Sequence, residues 1–557
     1  MTFLIKGKRL RHSVAFKQRR MPAGSINTTS DASSTASSTF DRLLYGNQQT
    51  QNQIQRPGFV IEETSTEDEA VDPNYTAWKR PFTMSARTAS ASLIPDLYTS
   101  LPLIRDLLNT QTSQVQDKTI CECLPFLSAA ETRIQVNAHG VPHLARQRHV
   151  QFLHKNLRKL PAPYVAADAS RPWMFYWVLA GLHALGEDLS EYKERLVSTV
   201  RPIQNATGGF GGGNGQLSHL APTYAIILSL AMVGGKEGFD LIDRKAMWKW
   251  LGALKQPDGG FQMSVGGEED VRRGAYIAVL IISLLDLPLE LPQESPSWSR
   301  EGATFLTGLP EWVGRCQTFE GGISTKPDAE AHGAYAFCAL ACLCIMGDPH
   351  VIIPKYDSYA IQCQETANVP IRRYLDVPLL ISWLSARQYA PEGGFAGRTN
   401  KLVDGCYSHW VGGCWPLIEA CVNGPSSPGG GSSPQSSVRS LYSREGLIRY
   451  IMCCCQDQSK RGGLRDKPSH SSDSYHTCYV LAGLSSAQHK WHFNASAMDV
   501  ESSGTLSSPY QWTSEIFVED PQIYDEEDRV RTLHPVFVIS EGAAEEMRAY
   551  FSSKGGF

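Results

Sequence analysis

A carboxylate and a thiol, Asp404 and Cys406, stand two residues apart in the stretch GGFAGRTNKLVDGCYSH at 393–409. Two cations, Arg398 and Lys401, come just before them. Carboxylate and thiolate are both zinc ligands, yet side chains at i and i+2 inside a helix point apart. The pair can share one ion only at a loop end or in a helix's first turn. Gly393, Gly394 and Asn400 favour a loop, and YSHWVGGCWPLI after it reads as an apolar helix. Asp404 and Cys406 would then ligate zinc, with the cations beside them for an anion. That sets a metal-activated thiolate next to a phosphate-like leaving group. Blander uses stay open for both: Asp404 as a helix N-cap, Cys406 as a small buried hydrophobe.

The elements that must position these groups belong to a soluble-type chain. Its 557 residues are 42% hydrophobic and 19% charged, enough for one large domain or two to three ordinary ones. A net charge of −4 argues against a general nucleic-acid binder. No apolar run reaches the ~18 residues that span a bilayer. Fourteen cysteines follow no framework spacing, no C-x-x-C occurs and no secretory signal is seen. Reduced thiols in the cytoplasm are the expectation.

Residues 1–20 are rich in Lys and Arg, and the first acid is Asp31. With the Ser/Thr/Gln/Asn-rich 22–56 behind them, they read as a disordered basic tail rather than a mitochondrial presequence. The expected layout is an extension over 1–92, a folded domain over 93–490 and a tail over 491–557 with a last helix near 540–552. The Ser/Pro/Gly-rich 424–437 reads as a flexible insert.

Within the domain the chain repeats. Gly-Gly pairs stand at 208–209, 259–260, 321–322, 393–394 and 462–463, each followed by a polar loop and an apolar helix. A tyrosine follows each pair: Tyr224, Tyr276, Tyr335, Tyr407 and Tyr475. Two helices in every 50 to 70 residues make stacked hairpins, about six of them. Closed on itself, the array is an all-α barrel of inner and outer helices, the inner ones apolar nearly all round. Every inner helix enters from a Gly-Gly loop, so all inner N-termini gather at one mouth, a place suited to an anion. His219, Arg273, His332, Arg398, Lys401, Asp404, Cys406 and His476 fall on those loops, and tyrosines at a shared register suggest a lined cavity.

The series DASRPWMFYW, LAPTYA, DGGF, EAHGAYAFC, GGFAGRTNKLVDGCYSHW and SYHTCY resembles the β subunits of the protein farnesyltransferase family, over roughly 140–490. The resemblance implies zinc ligands at Asp404, Cys406 and His476, with a fourth position open. It puts diphosphate contacts at His332, Arg398, Lys401 and Tyr407, and a Mg²⁺-associated carboxylate at Asp466. Asp404, Cys406, His476, Tyr407 and Asp466 form the implied catalytic set. The isoprenoid and peptide pocket falls on Ser170, Trp173, Tyr176, Trp177, His219, Ala221, Tyr224, Arg273, Trp410, Tyr475 and Tyr479, with Trp173 and Tyr479 at its floor. DVRRGAY carries two arginines, so Arg272 competes with Arg273 for the isoprenoid side.

The implied reaction moves a farnesyl group from farnesyl diphosphate to the cysteine of a C-terminal CaaX motif. The implied partner is a prenyltransferase α subunit in an obligate heterodimer. The β subunits of the geranylgeranyltransferases are the runners-up. A triterpene cyclase would need a D-x-D-D cluster, which the repeats lack, and a non-catalytic toroid would bind no zinc.

Overall fold

The computed structural model describes residues 93–102, 108–131, 133–158, 167–267, 271–354, 374–426, 440–494, 506–555 and 557, the side chains of 271–273 excepted. The expected extension 1–92 and most of the 424–437 insert lie outside the described residues.

Helix α1 (Gln111–Leu127) covers the outside of the barrel. Outer and inner helices then alternate: α2 (Arg146–Asn156), α3 (Arg171–Ala184), α4 (Lys193–Val200), α5 (Leu220–Val233), α6 (Arg244–Leu254) and α7 (Val271–Leu284). The pattern continues through α8 (Leu309–Arg315), α9 (Gly333–Met346), α10 (Val377–Ser385) and the interrupted inner pair α11 (Tyr407–Trp410) and α12 (Cys414–Asn423). Outer α13 (Arg444–Arg449) runs on as a π-helical turn over Tyr450–Cys455, and inner α14 (Ser474–Gln488) completes the set. The inner helices touch in sequence, and α14 packs back on α3, so the ring closes. Every residue of α5 is buried, as a helix walled in on all sides must be.

The paired glycines explain how the repeats join. The first of each pair has positive φ, from +68° at Gly462 to +105° at Gly259. A Cβ there would lie 2.1–2.5 Å from a carbonyl oxygen of the neighbouring repeat: Ala246 for Gly208, Gly308 for Gly259, Leu379 for Gly321, Gly446 for Gly393. Gly462 meets Arg148 of α2 in the same way and seals the seam between the last repeat and the first. Only glycine fits both the conformation and the space.

A second joint uses glutamine. Gln317 Nε2 donates to Asp376 O at 3.0 Å while its Oε1 accepts from Asp376 N at 2.8 Å. Gln388 clips Ser443 likewise, and Gln456 accepts from Ala145 N at 2.9 Å and donates to His143 O. Gln204, its amide turned to the orientation that satisfies both partners, donates to Leu241 O and accepts from Asp243 N. Asp243, Asp376, Ser443 and Ala145 are the N-caps of α6, α10, α13 and α2, so each amide fixes the next repeat's outer helix. In one repeat Lys255 takes this place; it is buried and donates to Gly259 O at 2.7 Å.

The tail drawn over 491–557 needs correction. Strands β1 (His489–Phe493) and β2 (Trp512–Ile516) pair antiparallel, and Val536–Ile539 are almost wholly buried. Tyr176 Oη donates to Val538 O at 3.0 Å and Tyr276 Oη to Val536 O at 2.6 Å. This segment therefore plugs the barrel interior and is continuous with its core. The apolar run VFVI was the missed signal. The expected last helix is present as α15 (Ala543–Lys554).

Candidate active site

Aromatic side chains in the first two turns of successive inner helices touch one another, so these helices start at the same end. Trp173 stacks on Trp177, with centroids 5.5 Å apart, and contacts Tyr224. The contacts pass from Tyr224 to Tyr276, Phe337, Trp410, Tyr479 and Tyr475, and back to Trp177, with centroids 4.5–6.1 Å apart. All six inner positions of the ring contribute to this closed aromatic girdle. Trp410 Nε1 donates to Tyr475 Oη at 3.1 Å. Phe337 and the buried His409, set between Phe337 and Tyr479, belong to the girdle and were not expected.

Tyr335 and Tyr407 leave the girdle. Each follows its Gly-Gly pair by 14 residues, against 16 and 17 for Tyr224 and Tyr276. Two or three residues turn a side chain by 200–300° round a helix of 3.6 residues per turn. Both rings instead flank His332, at 5.1 and 5.5 Å.

His332 caps α9, its Nδ1 accepting the Ala334 amide at 3.1 Å, and Tyr407 Oη lies 3.1 Å from its Nε2. His219 caps α5 in the same way. Arg398 pairs with Glu330 at 2.8 Å, and the loop bearing Arg398 and Lys401 leads into Asp404. Ser170 and Ala221 are buried at the starts of α3 and α5. Arg272 and Arg273 fall in the first turn of α7, their side chains outside the described set, so the choice between them stays as it was.

The expected metal ligands come together. Asp404, Cys406 and His476 are buried, and one potential ligand atom from each lies within 4.8 Å of the others. Cys406 is the last residue before α11, the loop-end placement that lets side chains at i and i+2 share one ion. His476 Nδ1 is 2.7 Å from Asp473 Oδ2, while Nε2, buried, makes no hydrogen bond although Asp404 Oδ1 is 3.2 Å away. An imidazole oriented by a carboxylate on one nitrogen, with its other lone pair facing two anionic ligands, fits zinc.

Burial pushes the Asp404 carboxyl up, but the nearby His476 and Lys467 charges outweigh it and hold it below the usual range. Burial, reinforced by the Asp404 charge, pushes the Cys406 thiol up. Three such groups sharing one buried site are awkward without a cation.

Asp466 sits against the same loop, its carbonyl accepting from Gly405 N at 2.9 Å. Both of its carboxylate oxygens lie 2.6 Å from Lys467 Nζ. Burial and the Asp404 charge raise its pKa against the pull of Lys467. An incoming Mg²⁺ would have to displace that ammonium.

The prenyltransferase alpha-alpha toroid domain model matches residues 144–539. The protein farnesyltransferase β subunit of Pyricularia oryzae is 56% identical over 468 residues, 83% of this chain and 85% of that protein. The corresponding subunit of Schizosaccharomyces pombe is 35% identical over 80% of this chain and 98% of its own length. Among solved structures, the Candida albicans protein geranylgeranyltransferase-I complexed with GGPP is similar in fold. Its TM-score is 0.50 at 18% identity, covering 73% of this chain and 99% of that one.

Proposed function

This chain belongs to the prenyltransferase family, among its protein farnesyltransferase β subunits, and from there we propose how its residues divide the transfer of a farnesyl group to a CaaX cysteine. The observation that carries the reading is the convergence of Asp404, Cys406 and His476 beside an aromatic-walled interior. Held by these three, zinc with one open position would lower the pKa of the acceptor thiol and supply a thiolate at neutral pH. Asp473 keeps the His476 ring turned so that Nε2 faces Asp404 and Cys406.

Arg398 and Lys401 offset the charge that builds on the departing diphosphate, and Tyr407 donates a hydrogen bond to it. Their placement ahead of the N-terminal turns of the inner helices adds backbone N–H groups and dipoles of the same sign. Asp466, on Mg²⁺ binding, would add a divalent charge on the same leaving group. The girdle of Trp173, Trp177, Tyr224, Tyr276, Trp410, Tyr475 and Tyr479 gives the hydrocarbon an apolar, water-excluding bed. Phe337 completes it between Tyr276 and Trp410.

A prenyltransferase α subunit as obligate partner and a cytoplasmic location complete the reading; no described helix is long and apolar enough to cross a membrane. The test is a transfer assay on CaaX peptides after co-expression with a candidate α subunit. Farnesyl diphosphate should be the preferred donor over geranylgeranyl diphosphate. Preference for the C20 donor in direct competition overturns the farnesyl assignment, and full turnover without any α subunit overturns the obligate partnership.

A further inference from the structure

The loop that carries Arg398 and Lys401 is exposed at its tip, and Asn400 there has φ of +57°. A loop of this kind holds two cations in place only if something ties it down. One tie is a guanidinium that the transfer mechanism does not use. Arg387, two residues beyond α10, is buried; its Nε donates to Trp383 O at 3.2 Å and its Cζ lies over the Trp383 ring, 4.6 Å from the centroid. Its NH1 reaches across to Thr399 Oγ1 at 2.9 Å, the hydroxyl between Arg398 and Asn400. Thr399 in turn donates to Glu320 of the preceding repeat at 3.4 Å, and Trp383 Nε1 donates to the same carboxylate oxygen.

Burying a guanidinium is costly unless its donors are partnered, and Thr399 Oγ1 partners NH1. The bond reaches twelve residues along the chain, to the loop whose cations meet the diphosphate in the proposed reaction. The backbone fixes the base of the loop: Ala396 pairs with Val403, and Gly397 O accepts from Gly333 N at 2.8 Å. The side-chain relay adds a tie at Thr399, next to the exposed tip.

We propose that Arg387 and Thr399 are positioning residues of the diphosphate site: the guanidinium, through the Thr399 hydroxyl, fixes where Arg398 and Lys401 stand. The inference rests on the reading of Arg398 and Lys401 as diphosphate contacts. Neither Arg387 nor Thr399 touches substrate. Their effect falls on anion binding and on the alignment of C1, and leaves the zinc ligands and peptide pocket alone.

The experiment uses the complex with the α subunit and compares Thr399→Val, Thr399→Ser, Arg398→Ala and Lys401→Ala. The readouts are KM for farnesyl diphosphate, Ki of inorganic pyrophosphate, KM for the peptide and zinc content. Thr399→Val keeps the shape and removes the hydroxyl at an exposed site, and zinc content together with the thermal melting curve reports whether the stranded Arg387 donor has disturbed the fold. It should raise KM for farnesyl diphosphate and Ki of pyrophosphate roughly tenfold, since small misplacements of binding groups cost that much or more. Peptide KM and zinc content should not change, and Thr399→Ser should restore the wild-type values. If Thr399→Val is silent while Arg398→Ala and Lys401→Ala raise both constants, the positioning role is wrong and the diphosphate reading stands. If all three are silent, the diphosphate reading falls and the relay with it. Equal losses in peptide KM or zinc content would mark Thr399 as merely structural, and that also overturns the proposal.

Discussion

Tyr407 Oη lies 3.1 Å from His332 Nε2, while the other ring nitrogen of His332 accepts the Ala334 amide. An imidazole that accepts at Nδ1 carries its neutral-form proton on Nε2. His332 therefore donates to the phenol oxygen and leaves the phenol's own proton free to be given elsewhere. Tyr407→Phe should lower the rate of transfer by roughly tenfold to a hundredfold, with farnesyl diphosphate affinity changed little, because the lost donor acts mainly on developing charge. Single-turnover kinetics read the two effects separately. An unchanged rate would leave Tyr407 as wall.

Metal content tests the ligand trio. Cys406→Ala and His476→Ala should lose zinc and activity together, and full zinc occupancy in both variants sinks the assignment. Asp473→Asn should keep the fold and weaken zinc by roughly ten- to a hundredfold, as losing the carboxylate behind a metal-bound imidazole does. Competition with a chelator measures it.

Asp466→Ala should remove most of the Mg²⁺ stimulation of transfer and leave zinc content intact. The wild-type titration should also need enough Mg²⁺ to compete with Lys467, whose ammonium holds both carboxylate oxygens. If the Mg²⁺ titration of the variant matches the wild type, Asp466 is a structural anchor for Gly405 and nothing more.

Donor length is set by space in the girdle. Trp173 stacks on Trp177 and crowds Tyr224. A fourth isoprene unit adds five carbons, each worth ~0.8 kcal/mol when buried. Trp173→Thr should open room for it and raise the use of geranylgeranyl relative to farnesyl diphosphate by about tenfold or more. A ratio that does not move would place the length gauge elsewhere in the ring.

Lys255 links pH to stability. Burial pulls its pKa from 10.5 in the unfolded chain down to about 7. Between those two values the unfolded chain holds a proton that the folded one lacks, so stability rises with pH across that window and is flat below it. The rise amounts to a few kcal/mol, on the order of 1.4 for each pKa unit. Lys255→Gln removes the titration, so urea unfolding from pH 7 to pH 10 should show the wild type gaining on the variant. Parallel curves would mean that Lys255 keeps its proton.

The barrel was legible because its grammar is local. A Gly-Gly pair, a polar loop and an apolar helix recur at each repeat, and the types and spacing of Asp404 and Cys406 offer a shared ion as one reading beside blander ones. His476 is some seventy residues away in sequence, and only the family pattern joined it to them. The tyrosine register misled for a physical reason: Tyr335 and Tyr407 stand third and first in their helices where Tyr224 stands fifth, which turns them away from the girdle and towards His332. The joints between repeats were also hidden. A glutamine that clips a neighbouring N-cap looks like any polar residue at a helix end until the neighbour is in place. Val536–Ile539 read as tail because no repeat surrounds them, though their apolar run is the mark of burial.

The seam at Gly462 and Arg148, with Gln456 reaching Ala145, has a consequence in time. A chain made from its N-terminus offers Arg148 to the solvent more than three hundred residues before Gly462 exists. Tyr176 waits longer still, 362 residues, for the carbonyl of Val538, and Tyr276 too finds its partner, Val536 O, only near the end of the chain. Until then the inner helices stand as an open arc with their apolar flanks bare, a state prone to stick to other chains. Ring closure is thus a late, single event. Lengthening the pause between synthesis of the first and last repeats should cost yield of folded protein, even where every repeat is intact.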